Sequence, residues 1–170
     1  MTFEIKTIDE LINPELEARW AARRIVRDND VFRAALAVFV EHGGPVRAED
    51  IARRLPGRSR DDVTATLATL DAEDVLLLEQ DAVVIAYPFS GVPNDFAVDF
   101  GDGRDRYACC AIDALGLAPM IGRRVHIRSR CHDCAEPLAL DVTPDGPLGG
   151  DGMFVWLGER VEGERVCATL

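Results

Sequence analysis

The sequence lacks the features that mark exported and membrane proteins. No apolar run approaches the roughly 18 residues that a bilayer requires, and no basic stretch followed by an apolar one opens the chain. Basic residues are also scarce, because 19 Lys and Arg stand against 30 Asp and Glu and leave a net charge of −11. Such a charge repels phosphate backbones. We therefore expect a cytoplasmic protein with no membrane partner and no general affinity for nucleic acid.

Histidine is rare as well, with three residues, and the five cysteines are an odd number. Without an export signal, a disulfide framework is not expected and the thiols should stay reduced. Reduced thiols favour two kinds of site, one that ligates a metal and one that supplies a nucleophile.

The apolar periodicity predicts an α+β fold that begins with helices. Predicted helices cover 8–29, 31–41, 48–55 and 61–73, with Asp30 and Ser59 as candidate caps. Two short apolar strands, 75–79 and 82–86, then flank a turn at Gln80 and Asp81. This order is typical of a winged helix-turn-helix. Its candidate recognition segment carries more acidic than basic residues, so we expect a structural or dimerising role rather than DNA contact.

A Pro- and Gly-containing stretch, 88–95, predicts a linker between two domains. The first, residues 1–88, is the helical winged-helix-like domain. The second, residues 96–170, should be a small mixed or antiparallel sheet with a cysteine-bearing helix. Its predicted strands are 96–100, 124–129, 138–142, 153–157 and 165–169.

The pair Cys110 and Asp113 is the strongest local signal for chemistry. On a helix these positions share one face, so a thiol and a carboxyl would reach a common ligand. The thiolate is a soft ligand or nucleophile, and the carboxyl can carry a proton to whatever the sulfur holds. Two structural readings stand beside this one, in which the cysteine is a small buried apolar residue and the aspartate caps a helix.

A second cysteine motif follows at Cys131-His-Asp-Cys134. The spacing suits half of a zinc site, which Cys109, His126, His132 or Cys167 would have to complete. It also suits a redox pair, or two thiols without a function. The alternatives remain open from the residues alone.

The run Tyr107-Ala-Cys-Cys-Ala-Ile-Asp-Ala-Leu115, continued by Pro119-Met-Ile-Gly122 and Ser129-Arg-Cys131, resembles the catalytic domain of the organomercurial (alkylmercury) lyases. The upstream winged-helix-like pattern and the stretch Ala86-Tyr-Pro-Phe-Ser90 fit that family too. The resemblance implies that Cys110 and Asp113 are active-site residues and that Cys131 is structural. It implies a second active-site cysteine on a late strand, which by position is Cys167. Cys109 and Cys134 have no counterpart in the family's motif.

The chemistry that the resemblance implies is protonolysis of a carbon–mercury bond. Two thiolates take the mercury of R–Hg–X, and Asp113 delivers the proton that turns the departing carbon into R–H. Mercury is then the substrate metal, no organic cofactor is needed, and Hg(II) leaves to small thiols. Two alternatives remain. One is a lyase-like protein that binds or senses Cu, Zn or Hg through its cysteines without turnover. The other is a transcriptional regulator that uses the winged helix.

Overall fold

The computed structural model describes residues 4–11, 14, 18, 21 and 29–157, and within them the fold is α+β, as predicted. The helices are α1 (Ile8–Leu11), α2 (Asp30–His42), α3 (Ala48–Ala52), α4 (Arg60–Ala72) and α5 (Ala111–Ile121). The strands are β1 (Val46–Arg47), β2 (Leu76–Glu79), β3 (Ala82–Ala86), β4 (Phe89–Ser90), β5 (Ala97–Asp99), β6 (Asp105–Ala108), β7 (Val125–Arg130), β8 (Pro137–Thr143) and β9 (Gly146–Leu148). Most of the helix predicted over 8–29 lies outside the described residues. In the described part, every helix is too short or too polar to cross a bilayer.

All strand pairs are antiparallel and join one sheet in the order β1-β3-β4-β6-β5-β7-β8-β9, with β2 on the other side of β3. Alternation of side chains along the strands separates the two faces. On β5, β6 and β7 the inward residues are Val98, Arg106, Ala108, Val125 and Ile127, all buried. The apolar ones among them and the helices form one apolar core.

Local rules fix the amino-terminal helices. Asn29, not the predicted Asp30, caps α2, because the Asn29 side chain accepts a hydrogen bond from the backbone N–H of Val31 at 2.9 Å. Asp30 is the first helical residue, and its carboxylate accepts from the Arg58 guanidinium at 2.7 Å. The predicted capping box at α4 is confirmed. Ser59 and Asp62 exchange hydrogen bonds across the first turn.

The predicted hairpin is also confirmed, as β2 and β3. Gln80 and Asp81 join the strands with φ angles of 47° and 66°. Two successive residues with positive φ form the turn that matches the twist of a hairpin. Asp and Asn tolerate this region better than most residues, which explains why the turn could be predicted from the sequence.

The expectation of a linker over 88–95 is wrong at its start. Phe89 and Ser90 are buried and form β4, which pairs with β3 on one side and β6 on the other. The Phe89 ring stacks on Phe39 of α2 with 5.7 Å between centroids. The strand has only two residues and lies among proline, serine and glycine, so composition alone predicts a linker there. The sheet therefore continues from the helical part of the chain into the cysteine-bearing part.

A buried arginine also joins these two parts. Arg106 on β6 is 2% exposed, and its guanidinium donates to the backbone carbonyls of Val40 and Glu41 at 2.9 Å each. The same guanidinium also pairs with Asp102. The hydrogen bonds that Arg106 donates to this carboxylate hold the pKa of Asp102 well below its usual range. The Val40 and Glu41 carbonyls lie at the end of α2, where helical partners are missing. Arg106 replaces those partners.

Three of the predicted carboxy-terminal strands are present in the structure. β5, β7 and β8 lie near 96–100, 124–129 and 138–142, whereas β6 and β9 were not predicted. Residues 153–157 form no strand in the structure, and Phe154 and Trp156 are 71% and 53% exposed. The alternation Met-Phe-Val-Trp-Leu imitates a strand, but no strand of the described chain pairs with it. The predicted strand 165–169 lies outside the described residues.

Candidate active site

Cys110 and Asp113 meet at the amino terminus of α5. The structure corrects the expected arrangement, because Cys110 is not in the helix: it is the N-cap residue, with φ −152° and ψ 179°. Asp113 is the third helical residue, and its Oδ2 atom lies 3.1 Å from the Sγ atom of Cys110. The thiol donates to the carboxylate. The predicted contact between the two side chains is therefore present. It forms because Cys110 is the N-cap residue of the helix that contains Asp113, not because both residues lie on one face of that helix.

Burial controls the protonation of this thiol. Cys110 is half-buried, and burial is the main reason why its pKa rises to about 11. The Asp113 charge and its hydrogen bond raise the pKa further, while the N–H groups of Ile112 and Asp113 offset part of the rise. At neutral pH the side chain is therefore a neutral thiol next to a proton acceptor.

The strand before the thiol is anchored on both sides. Ala108 donates from its N–H to the Phe96 carbonyl at 2.9 Å, and its own carbonyl accepts from the Asn94 side chain at 2.8 Å. The next residue, Cys109, donates to the Pro88 carbonyl at 3.0 Å. Sequence reasoning missed Asn94, which lies in a Pro-Asn-Asp stretch and therefore looks like an ordinary turn residue.

The two adjacent cysteines point to different surroundings. Cys109 is 5% exposed and packs in a small apolar cluster with Tyr87, Leu77 and Ile85. Because buried cysteine behaves as a small apolar residue, only Cys110 of this pair faces Asp113. The side chains of Ala114, Leu117 and Ala118 bury the inner face of α5. This packing fixes the helix start that carries the pair.

Cys131 and Cys134 lie on the loop between β7 and β8, which we call the knuckle (residues 131–135). The backbone N–H groups of Cys134 and Asp133 donate to the Cys131 sulfur, which lowers the pKa of that thiol, and the Cys134 side chain adds a contact. The loop closes through Ala135 N–H to the Cys131 carbonyl at 2.9 Å. Cys134 is exposed. Within the residues that the structure describes, no three His, Cys, Asp or Glu side chains group as metal ligands.

An open groove of about 470 Å³ crosses the outer face of the sheet. Its lining includes Asn94, Tyr107, Arg128 and Arg130 but neither Cys110 nor Asp113. The other predicted active-site cysteine, Cys167, lies outside the described residues. His126 is 3.1 Å from Asp141 on this outer face, so it has an acidic partner within the sheet rather than a cysteine.

Comparisons with known proteins connect this site to one family. Residues 89–169 match the family model described as alkylmercury lyase. The chain is 36% identical over 115 residues to an alkylmercury lyase of Staphylococcus epidermidis, a match that covers 68% of this chain and 50% of that protein. An alkylmercury lyase of Bacillus cereus is 36% identical over 116 residues, with the same coverage. The chain thus spans about half the length of the curated relatives it matches.

A structural neighbour has the same fold. The crystal structure of the mercury-bound form of MerB2 superposes with a TM-score of 0.58 at 20% identity, covering 75% of this chain and 64% of that one. At this identity the likeness concerns the fold alone. The family match carries the assignment further, because it includes the stretch with Cys110 and Asp113. The predicted resemblance is confirmed: residues 89–169 match the alkylmercury lyase family, and the curated relatives that match this chain are alkylmercury lyases.

Proposed function

We propose that the protein cleaves carbon–mercury bonds of organomercurials by protonolysis, releasing a hydrocarbon and Hg(II). The observation that carries the proposal is the 3.1 Å contact between Cys110 Sγ and Asp113 Oδ2, inside the segment that matches the family. A soft sulfur and a proton carrier are the two groups that this reaction needs at one place.

The first step uses the contact as it stands. The Cys110 thiol is neutral at pH 7 because its pKa is about 11, and a thiol must lose its proton to ligate a metal. Asp113 is the acceptor within reach. As the sulfur binds the mercury of R–Hg–X, the proton passes to the Asp113 carboxylate and X⁻ leaves.

The second step returns that proton to carbon. A second thiolate on mercury increases electron density at the metal and labilises the carbon–mercury bond, and we assign this role to Cys167. Protonated Asp113 then delivers its proton to the departing carbon, so R–H forms and Hg(II) remains on sulfur. Small thiols of the cell remove the Hg(II). No organic cofactor takes part in these steps.

The architecture around this site carries further proposals. We assign residues 1–88 to a winged-helix-like domain and 96–170 to the catalytic domain, supported by the α3, α4 and β2–β3 succession. The acidic α4 segment favours a structural role for the first domain and disfavours nucleic acid as a partner. The assigned location is the cytoplasm, where small thiols are abundant, without a membrane partner.

We further propose the knuckle as a second metal site. Cys131 and Cys134 are two soft donors on one turn, and the N–H groups that reach the Cys131 sulfur favour its thiolate, the form that binds metals. The donor set fits a thiophilic ion. The same donors support the alternative function, a lyase-like protein that binds Cu, Zn or Hg without turnover.

A single-turnover experiment decides between these functions. Reduced protein is incubated with phenylmercuric acetate and excess glutathione, and released benzene is measured for the wild type, Cys110→Ser and Cys167→Ser. We expect benzene from the wild type and none from either variant, while Cys109→Ser, which alters the adjacent thiol, retains release.

Circular dichroism of each variant checks that folding persists. Mercury retained by the wild type without benzene would overturn the lyase function and favour the binding protein. Full release by Cys110→Ser would refute the assignment of that residue.

A further inference from the structure

We propose that Cys131 and Cys134 form a dithiol that accepts the Hg(II) produced at Cys110, before the ion passes to external thiols. The inference rests on the proposed function for the source of Hg(II). It gives the knuckle a specific ligand, the product of the neighbouring site, and a specific step, product transfer.

The sheet brings the two thiol sites to one edge. Tyr107 on β6 and Arg128 on β7 both pair with Ala97 on β5, so the three residues lie level across the sheet. Because both outer strands are antiparallel to β5, β6 and β7 run in the same direction. Cys110 lies three residues after Tyr107, and Cys131 lies three residues after Arg128. The chain therefore leaves the sheet before these two cysteines at points that are two strand spacings apart, or roughly 10 Å.

Hydrogen bonds within the chain fix the shape of the knuckle. Cys131 donates from its N–H to the Glu136 carbonyl at 2.8 Å, and Ala135 donates back to the Cys131 carbonyl at 2.9 Å. The chain turns at Ala135, whose φ is 58°. The Cys131 sulfur receives the N–H groups of Asp133 and Cys134 and contacts the Cys134 side chain. Exposure of Cys134 lets its sulfur rotate towards an arriving ion.

A ring contact brings the later chain to the same loop. Trp156 stacks on His132, between the two cysteines, with 5.3 Å between centroids and 10° between planes. After β9 the chain therefore comes back to the knuckle at Trp156, which precedes Cys167 by eleven residues in sequence. The last residues that the structure describes thus contact the loop that holds Cys131 and Cys134.

The chemistry of Hg(II) matches two thiols. Zinc in structural sites takes four ligands, whereas Hg(II) is satisfied by two thiolates on opposite sides. Transfer is a thiol exchange without oxidation or reduction. The two mercury–sulfur bonds at the active site break and two form at Cys131 and Cys134. The protons of these thiols move to the thiolates that the ion leaves.

The test follows the ion after one turnover. The protein receives one equivalent of phenylmercuric acetate with glutathione, released benzene is quantified, and the protein is digested for mass spectrometry. The mass of the peptide holding residues 131–134 distinguishes bare Hg(II) from the intact phenylmercury group. We expect bare Hg(II) bridging this peptide once benzene has formed. Cys109→Ser serves as the matched cysteine control and should give the same result.

A second arm supplies mercury(II) chloride directly to Cys110→Ser, in which the first site is disabled. We expect the knuckle to retain Hg(II) against glutathione. Cys131→Ser added to this background should weaken retention by about a hundredfold or more, because the second thiol acts at high effective concentration. Serine still accepts the N–H groups of Asp133 and Cys134, so the loop should keep its fold, which circular dichroism checks.

The outcomes separate this inference from the proposed function. Benzene release with no Hg(II) on the 131–134 peptide would overturn the transfer and leave the lyase function standing. Absence of benzene would remove the source of Hg(II), and transfer would fail together with the proposed function. In that case the chloride arm still decides the dithiol site: retention supports it and unhindered loss to glutathione overturns it.

Discussion

Two helices of this protein begin with the same spacing of an N-cap residue and an aspartate, but the two pairs lie in different surroundings. At α4, Ser59 is the N-cap and Asp62 lies three residues later, with 2.7 Å between the hydroxyl and carboxylate oxygens. At α5, Cys110 is the N-cap and Asp113 lies three residues later, with 3.1 Å between sulfur and oxygen. The proposed catalytic pair thus occupies the positions that form the capping box at α4, with sulfur in place of the hydroxyl oxygen, but the Cys110 side chain makes no cap hydrogen bond to the backbone of α5.

The titration of each pair reflects its surroundings. Ser59 and Asp62 are exposed, and the hydrogen bonds from Ser59 lower the pKa of the Asp62 carboxyl. Cys110 is half-buried, and burial next to Asp113 raises the pKa of the thiol. A common helix-start motif therefore needs only a different N-cap atom and less water to become a proton-exchanging pair.

The largest effect should come from removing the carboxylate of the buried pair. Asp113→Asn keeps the shape but cannot carry a proton, so we expect benzene release to fall by about 10²–10⁴-fold, as for a lost general acid. Single-turnover assays with phenylmercuric acetate measure it. The matched control is Asp62→Asn, the same change in the exposed pair, which should leave release unaltered. Equal losses in both variants would mean that only folding was affected.

The next effect concerns thiol reactivity. Because the pKa of Cys110 is about 11, its thiolate fraction at pH 8 should be about a hundredfold below that of an ordinary cysteine. Iodoacetamide labelling with peptide mapping measures the rate, and the variant Ser59→Cys supplies a thiol at the equivalent exposed position. We expect this introduced thiol to react far faster than Cys110. Similar rates at the two positions would contradict the role of burial.

A smaller effect should follow from removing the exposed cap. Ser59→Ala should lower the free energy of unfolding by about 1 kcal/mol, measured by urea denaturation at pH 7. The pKa of Asp62 is lowered in the folded protein, so its contribution is present above the ordinary carboxyl pKa and is lost as pH falls through the folded value. The difference between wild type and variant should therefore shrink in acid. A constant difference would exclude the carboxylate's part in the cap.

The smallest effect should be on stability at the other helix. Cys110→Ser replaces a weak cap by a good one while losing some apolar burial, so the free energy of unfolding at pH 7 should change by less than about 0.5 kcal/mol. Above pH ~9 the two proteins should diverge in urea denaturation. The raised thiol pKa gives stability that is complete below the ordinary thiol pKa and is lost as pH rises towards about 11. Serine has no such loss, so parallel pH profiles would contradict the raised pKa.

Sequence reasoning found what local rules determine. The Ser59 cap, the turn at Gln80 and Asp81, and the proximity of Cys110 to Asp113 each depend on residues a few positions apart. It missed β4 and β9, because two- and three-residue strands are defined by their neighbours in the sheet rather than by their own pattern. It also missed Asn94 and Arg106, whose roles depend on backbone atoms distant in sequence.

The hydrogen bonds from Arg106 to the end of α2 limit how this chain can be divided. The Arg106 guanidinium reaches carbonyls 65 and 66 positions earlier, so the last turn of α2 is completed only after β6 has been synthesised. A fragment that began at residue 96 would leave this buried cation facing Phe100, with 4.9 Å from the guanidinium carbon to the ring centroid, but without its carbonyl partners. Such a fragment would keep the Asp102 carboxylate beside the guanidinium but would leave N–H donors of Arg106 without the two carbonyls that α2 supplies. The helical half is therefore part of the folding unit that the thiol chemistry requires, and any shortened version for structural work should begin before Asn29.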